Sequence, residues 1–320
     1  MANKQNNSNK QDKCLHPVKA LKIEKNMSAS DLVSGMKGTA YNARCLGEAG
    51  EIWLEACKDK SIKKFLGLAG AQVPAGMKQI IIDMVDKGMI DVFVTTGANL
   101  THDLIEALGF HHYQGLSEID DSKLNKLGLD RIYDVYMKSE VYQHLEAWFV
   151  ENFDKINSEN NSEFLFKLGE LLSKAEHGKN SILAICYRKN VPIFCPALSD
   201  SGIGLMIWNM LIKKKKPMMN DYNDLNKMID IAWTNKKKAV FYINGGFPKN
   251  YIQQAMQFSS PAQLGVQIKT DDASYGGSTG APLKEGVSWG KMSSQGRFID
   301  VTCDSTIALP LIYAYVLDNL

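Results

Sequence analysis

The chain has 320 residues, 45% hydrophobic and 22% charged, with a formal net charge of +2. That length suits one large α/β domain or two smaller ones, and that balance is the balance of an ordinary soluble globular protein. The charge offers no concentrated basic excess of the kind that nucleic-acid binding requires, and no apolar run reaches the length of a membrane span. The six cysteines are scattered, with no C-x-x-C pair and no cluster with histidine, which argues against a zinc or other metal site and for a reducing, cytoplasmic setting. Cys186, Cys195 and Cys303 lie in apolar, strand-like runs and read as small core residues.

Residues 1–13 are polar and of low complexity, without the apolar stretch of a signal peptide, so a disordered tail over residues 1–14 is expected. A helical pattern begins near Met27, with Ser28 or Ser30 as cap for Asp31–Lys37. Asn42–Cys57 continues as an amphipathic helix. A unit then recurs: a short apolar run, a loop of small or polar residues, and a helical pattern. Phe65–Leu68 leads into Ala69–Gly76 and a helix Met77–Lys87. Val92–Thr95 leads into Thr96-Gly97-Ala98-Asn99 and a helix from Thr101. Ile193–Leu198 leads into Ser199–Gly204, and Val240–Ile243 into Asn244–Lys249. Between these, residues 113–175 read as a mostly helical insertion. The basic runs Lys213–Lys216 and Lys236–Lys238 read as solvated helix ends. Strands alternating with helices predict an α/β, doubly wound, mainly parallel sheet with helices on both faces (Rossmann-like). With no linker in sight, residues 15–320 are expected to form a single large domain.

Ligands of such sheets bind beyond the carboxyl ends of the strands. Gly and Ala there let a backbone approach a ligand closely, and helix starts favour phosphate. No G-x-G-x-x-G follows the first strand, so each loop alone is an ordinary strand–helix turn; four together make a nucleotide crevice plausible without naming the cofactor. A second signal is Glu285-Gly286-Val287-Ser288-Trp289-Gly290-Lys291. A tryptophan wall beside Lys291 would desolvate the amine and suit it to act as a nucleophile, and Glu285 is placed to meet a cationic substrate. On spacing alone, an ordinary surface lysine is the simpler reading.

Gly280-Ala281 followed by Glu285–Lys291 resembles the active-site signature of the deoxyhypusine synthase family. Val94–Asn99, Pro196–Asp200 and Gly245–Lys249 are similar to that family's other ligand loops, in the same order. The resemblance covers roughly residues 15–320. It implies a doubly wound fold assembled as a homotetramer, with active sites between two subunits and NAD as cofactor. It further implies that the butylamine part of spermidine passes through a lysine imine to a lysine of translation initiation factor 5A. Position by position, the resemblance makes Lys291 the nucleophile and puts Asn250 and His102 near the reacting amine. Glu285, Trp289, Gly276, Gly277 and Ser278 would line the polyamine channel. Gly70, Ala71, Gln72, Val73, Pro74, Thr96, Gly97, Ala98, Asp200, Gly245, Thr270, Asp304 and Ser305 fall at NAD-contacting positions. Asp200 and Asp304 would accept from ribose hydroxyls, although Asp also serves turns and caps.

The departures bear on the substrate. Where well-studied eukaryotic members hold the spermidine ammonium groups with carboxylates and keep a histidine near the amine, this chain has Thr101, His102, Leu205, Ser278 and Asn250. Glu285 alone remains of the acidic set. A buried ammonium without a partner is costly, so the polyamine is held differently or is a different one. His102 reads either as a proton shuttle or as a helix-start hydrogen-bonding group. These changes resemble the archaeal and bacterial deoxyhypusine synthase-like branch. They keep open an alternative in which a free amine such as putrescine is the acceptor, as in homospermidine synthases, and a third in which the fold is a non-catalytic NAD-binding scaffold.

Overall fold

The computed structural model describes residues 16–217 and 219–320; the expected tail of residues 1–14, with Cys14, lies outside them. Its strands are β1 (Lys63–Leu68), β2 (Val92–Thr95), β3 (Tyr113–Gln114), β4 (Leu129–Ile132), β5 (Val135–Lys138), β6 (Ile193–Phe194), β7 (Lys238–Ile243), β8 (Ala262–Lys269) and β9 (Met292–Thr302). Six form one sheet in the order β6-β2-β1-β7-β8-β9, and every neighbouring pair is parallel. Ranked by chain order these six run 3-2-1-4-5-6, the doubly wound arrangement whose winding reverses beside its first strand. Here the reversal falls between β1 and β7.

Burial on both faces explains the near-continuous apolar runs of β1, β2 and β7. Phe241 and Ile243 of β7 join Trp53 of the helix Tyr41–Lys58 and Ile312 of the helix Ser305–Asn319 in one core. Val240 and Tyr242 face the other way, against Met228 of the helix Asp221–Thr234 and Ile252 of the helix Gly246–Gln257. The fold class read from the sequence is the fold observed.

Several local expectations need correction. The insertion is not mostly helical at its start: β3, β4 and β5 make a separate antiparallel sheet before the helices Val141–Ile156 and Asn161–Ser173. Tyr113, Tyr136 and Arg131 pair across its three strands, a mixture that masks strand alternation. Strand β6 stops at Phe194, because Pro196 cannot donate to a ladder. The second βα helix starts at Gly97, not Thr101, with Thr96 as its cap. Cys186 lies on the helix Ile182–Lys189 and Cys303 is only partly buried. Lys238 is no solvated helix end. It opens β7, is fully buried, and donates to Ala232 O, Ser259 Oγ and Ser260 Oγ at 2.7, 3.0 and 2.8 Å.

The helix Gly97–Ala107 leaves β2 and carries Thr96, Gly97, Ala98 and His102, so its seating matters to any site at this edge. Asp103 fixes it. The side chain is fully buried and accepts from Ile182 N at 2.8 Å and Leu183 N at 3.0 Å, capping the helix Ile182–Lys189. Burial outweighs these two hydrogen bonds and raises the Asp103 pKa to about 6. Unfolded aspartate titrates near ~4, so the folded pKa is the higher one. The stability this group contributes is complete below pH ~4 and is lost as pH rises through about 6. Relative to Asp103→Asn, which does not titrate, the wild type is therefore expected to lose about 2–3 kcal/mol between pH 4 and 7. Urea unfolding followed by circular dichroism at fixed protein concentration measures this, and a pH-independent difference would contradict it.

Candidate active site

Because all six strands of the sheet run the same way, the loops that follow them meet at one edge. Gly70–Pro74 follow β1, Thr96–Ala98 follow β2, Gly245 follows β7, Thr270 follows β8, and Asp304 and Ser305 follow β9. Asp200 stands beyond β6, lining a small recess with Thr96, Gly97 and Phe247. The residues assigned to the cofactor are thus gathered along the edge that holds the β1/β7 reversal. Asn99 ties two loops together: its Oδ1 accepts from Gln72 N at 3.1 Å and Val73 N at 3.4 Å. Ser305 Oγ accepts from Gln72 Nε2 at 2.9 Å and from Asn244 Nδ2 at 3.1 Å, joining β1, β7 and β9. Asp304 caps the last helix by accepting from Thr306 N at 2.8 Å.

Two glycines at this edge have no room for a side chain. A Cβ on Gly97 would lie 2.5 Å from Ser201 Cβ, and one on Gly245, where φ is +63°, would lie 2.7 Å from Thr279 Cα. Gly245 gives the helix Gly246–Gln257 no side-chain cap, and Gly246 N donates instead to Thr279 Oγ1 at 3.0 Å. Beside these loops is a cavity of about 740 Å³, bounded by Ala71, Pro74, Gly76, Asp304, His112 and Tyr133. Its size lies within the range of small-molecule pockets. Small-residue loops that let a ligand approach the backbone, and the buried, unpaired Gln72 Oε1, fit a dinucleotide. Among the described residues no cluster of His, Cys, Asp or Glu is suited to hold a metal ion.

The lysine signature is built separately. Gly276, Gly277 and Ser278 are exposed, and the segment then turns down the sheet through the short helix Leu283–Val287 to Lys291. Lys291 O accepts from Ala262 N at 3.1 Å, which puts its backbone at the amino end of β8. The eight residues of β8 separate that point from Thr270 by roughly 25 Å along the strand. Lys291 Nζ stands 5.0 Å from the centre of the Trp289 ring. Lys291 is only half-buried, however, and Trp289 is 58% exposed, so the expected desolvating wall is not closed within one subunit. Glu285 is exposed on the same turn. Asn250 is exposed in the first turn of its helix, next to the buried Lys249.

Sequence reasoning missed the residues that hold this segment. Lys249 Nζ donates to Ser278 O at 2.7 Å and Ala281 O at 2.5 Å. Gln267 Nε2 donates to Thr279 O at 3.3 Å and Ala281 O at 3.1 Å. Lys269 Nζ donates to Gly280 O. Every carbonyl from Ser278 to Ala281 thus has a side-chain donor on the helix Gly246–Gln257 or on β8. Burial above all lowers the Lys249 pKa to about 8. The available signal was Gln267 and Lys269 on either side of Ile268, after the apolar Leu264–Val266 of β8. His102 is also better placed than its spacing revealed. It is neither at the helix start nor free: Nδ1 lies 2.9 Å from His112 Nε2, and His112 Nδ1 lies 2.8 Å from Glu106 Oε1.

A sequence model of deoxyhypusine synthase matches residues 31–316. The chain belongs to the deoxyhypusine synthase family. It is 38% identical over 305 residues to probable deoxyhypusine synthase 1 of Archaeoglobus fulgidus, covering 94% of this chain and 98% of that one. It is 40% identical over 304 residues to probable deoxyhypusine synthase 1 of Methanosarcina mazei, covering 94% of each. The crystal structure of a candidate deoxyhypusine synthase from Entamoeba histolytica shares the fold, with a TM-score of 0.64, 17% identity and coverage of 94% of this chain and 97% of that one. The family's chemistry is group transfer, which makes this chain a transferase.

The crowding at Gly97 is testable. Gly97→Ala must displace Ser201, whose Oγ caps the helix Gly202–Ile212 by accepting from Gly204 N at 3.0 Å. The expected cost is about 1–3 kcal/mol in urea unfolding. Gly277→Ala, whose Cβ would meet nothing within 4 Å, should be nearly neutral. Equal stabilities for the two variants would refute the packing argument.

Proposed function

We propose that this chain is an NAD-dependent aminobutyl transferase that moves the butylamine part of spermidine, through an imine on Lys291, to a lysine of translation initiation factor 5A. The observation that carries the reading is the Glu285–Lys291 signature, with Lys291 against Trp289, inside a chain that the family model matches over residues 31–316. NAD, when bound, accepts a hydride from the substrate amine and returns it at the end. The edge loops Gly70–Pro74, Thr96–Ala98 and Gly245 would surround its phosphates, with Thr270, Ser305 and the carboxylates of Asp200 and Asp304 toward its sugars. Lys291 supplies the amine that captures the aminobutyl group, Trp289 shields it, and Glu285 attracts an ammonium end. Gly276, Gly277 and Ser278 leave a passage free of side-chain bulk, and His102 and Asn250 stand as the polar groups nearest the reacting amine.

The wide separation of the Lys291 backbone from the cofactor edge supports a homotetramer whose sites are completed between two subunits. The helix Gly202–Ile212 supports it too, since Leu205, Trp208, Leu211 and Ile212 are all more than half exposed. A second reading, with a free amine such as putrescine as acceptor, is favoured by one feature. Leu205, Ser278 and Asn250 leave Glu285 as the sole carboxylate of the channel, a departure from members that use the protein acceptor.

Incubation with spermidine and NAD, with factor 5A or with putrescine, and mass analysis of the products decides between the two. Borohydride added during turnover should trap a butylamine adduct on the peptide containing Lys291. Lys291→Arg should abolish the adduct, because a guanidinium stays protonated and cannot form an imine. An adduct on another lysine, or undiminished transfer in that variant, would overturn the assignment. Glu285→Gln should raise the spermidine KM by tenfold or more, about 1.4 kcal/mol, while the NAD-induced rise in Tm persists.

A further inference from the structure

Three side chains near the cofactor edge form a hydrogen-bonded line that the group-transfer reading does not account for. His102 and Glu106 are four residues apart on the helix Gly97–Ala107, hence on one face. His112, after the helix, fits between them, bonding His102 through Nε2 and Glu106 through Nδ1. Lys78, on the helix Lys78–Asp86, pairs with the other oxygen of Glu106. His112 also lines the 740 Å³ cavity beside Ala71–Gly76. Asp103, on the same helix, is fully buried and engaged with Ile182 N and Leu183 N.

The carboxylate dictates the tautomers down the line. Burial works against the Glu106 charge, but hydrogen bonds from His112 and Lys78 outweigh it and keep its pKa below the usual range. An ionised carboxylate only accepts, so a neutral His112 carries its proton on Nδ1. Its Nε2 is then a bare acceptor, and His102 must donate from Nδ1. That leaves His102 Nε2 without a proton, and the ring's hydrogen bond among the described residues is the one at Nδ1. Burial above all lowers the His102 pKa to about 4. Alone, such a ring is a weak base, since proton acceptance is most effective when the pKa is near the working pH. Handing the proton onward avoids a lasting charge on it.

We infer that Glu106, His112 and His102 form a proton relay serving the amine site, with His102 Nε2 as the acceptor for a proton from a secondary ammonium of the polyamine class. This rests on the polyamine reading of the site. The ammonium N–H bond breaks, its electron pair stays on the substrate nitrogen, and an Nε2–H bond forms on His102. His102 passes its Nδ1 proton to His112 Nε2, and His112 passes its own Nδ1 proton to Glu106. One proton enters the line and one arrives at the carboxylate. His112 and Glu106 are positioning residues: they set the tautomer of His102 and do not touch the substrate.

The test is solid-state 15N NMR of the full-length protein labelled at histidine, with the six histidines assigned by single replacements. At pH 7 the wild type should show His102 protonated on Nδ1 and bare on Nε2. In His112→Phe it should go over to the Nε2–H form. Spermidine-dependent NADH formation should fall at least tenfold in that variant. Glu106→Gln, which keeps the shape of the side chain, should lower turnover in the same direction and guards against a folding defect in His112→Phe. An Nε2–H tautomer in the wild type, or wild-type turnover in both variants, overturns the relay. A wild type that forms no NADH counts against the polyamine reading, and the tautomer pattern then upholds or refutes the relay by itself.

Discussion

Parallel pairing of all six main strands is the constraint from which the rest follows. A parallel sheet needs a crossover for each new strand, so every βα loop ends on the same edge. The winding reverses between β1 and β7, and there the helices that follow these strands diverge to leave a crevice. Only short side chains are tolerated where loops crowd at such an edge. The Gly97–Ser201 and Gly245–Thr279 approaches show how little space remains. The small residues are thus required by packing and, by the same fact, let a ligand approach the backbone closely. Packing and function do not compete at this edge.

The loop that carries the lysine signature faces the opposite problem. It crosses from the carboxyl edge toward the amino edge outside any sheet ladder, so its carbonyls need donors from elsewhere. Lys249, Gln267 and Lys269 supply them, all three from buried positions. Burying an ammonium costs free energy unless it is hydrogen-bonded and offset by charge. The nearby Asp300 gives partial compensation: burial foremost raises its own pKa, and it accepts from Leu283 N at 3.2 Å at the start of the next turn. The same small group of charges therefore fixes both halves of the segment between Ser278 and Lys291.

Legibility in the sequence followed the physical periodicities. The βα units were readable because a buried parallel strand is a continuous apolar run and its helix has a 3.6-residue stripe. Boundaries moved where caps decided them, by two residues after Ser28 and by four after Thr96. The β3–β5 sheet was not readable, since an exposed antiparallel sheet with mixed polar and aromatic residues has no clean alternation. Strand β8 went unnoticed because Gln267 and Lys269 interrupt its apolar run, although both are buried. Of the site, the Glu285–Lys291 segment was legible as a motif. The line from His102 to Glu106 through His112 was not, because its middle member lies beyond the helix end and joins the other two only in space.

Lysine, not arginine, at position 249 follows from the geometry it serves. Ser278 O and Ala281 O converge on a single point, which suits a compact ammonium with rotatable donors better than a planar fork. Lysine has a second property here. A guanidinium would remain charged, whereas the Lys249 amine, with its pKa lowered to about 8 chiefly by burial, can release a proton under mildly basic conditions. The neutral amine still has two N–H bonds, as many as the carbonyls it contacts. Its hold on the loop therefore outlasts its charge. What changes on deprotonation is the field at Glu285 and Lys291, both of which are close enough for Lys249 to feel their charges. Structural support and local electrostatics are in this way separable in one side chain, and a cationic substrate meets a less repulsive loop without the loop being released.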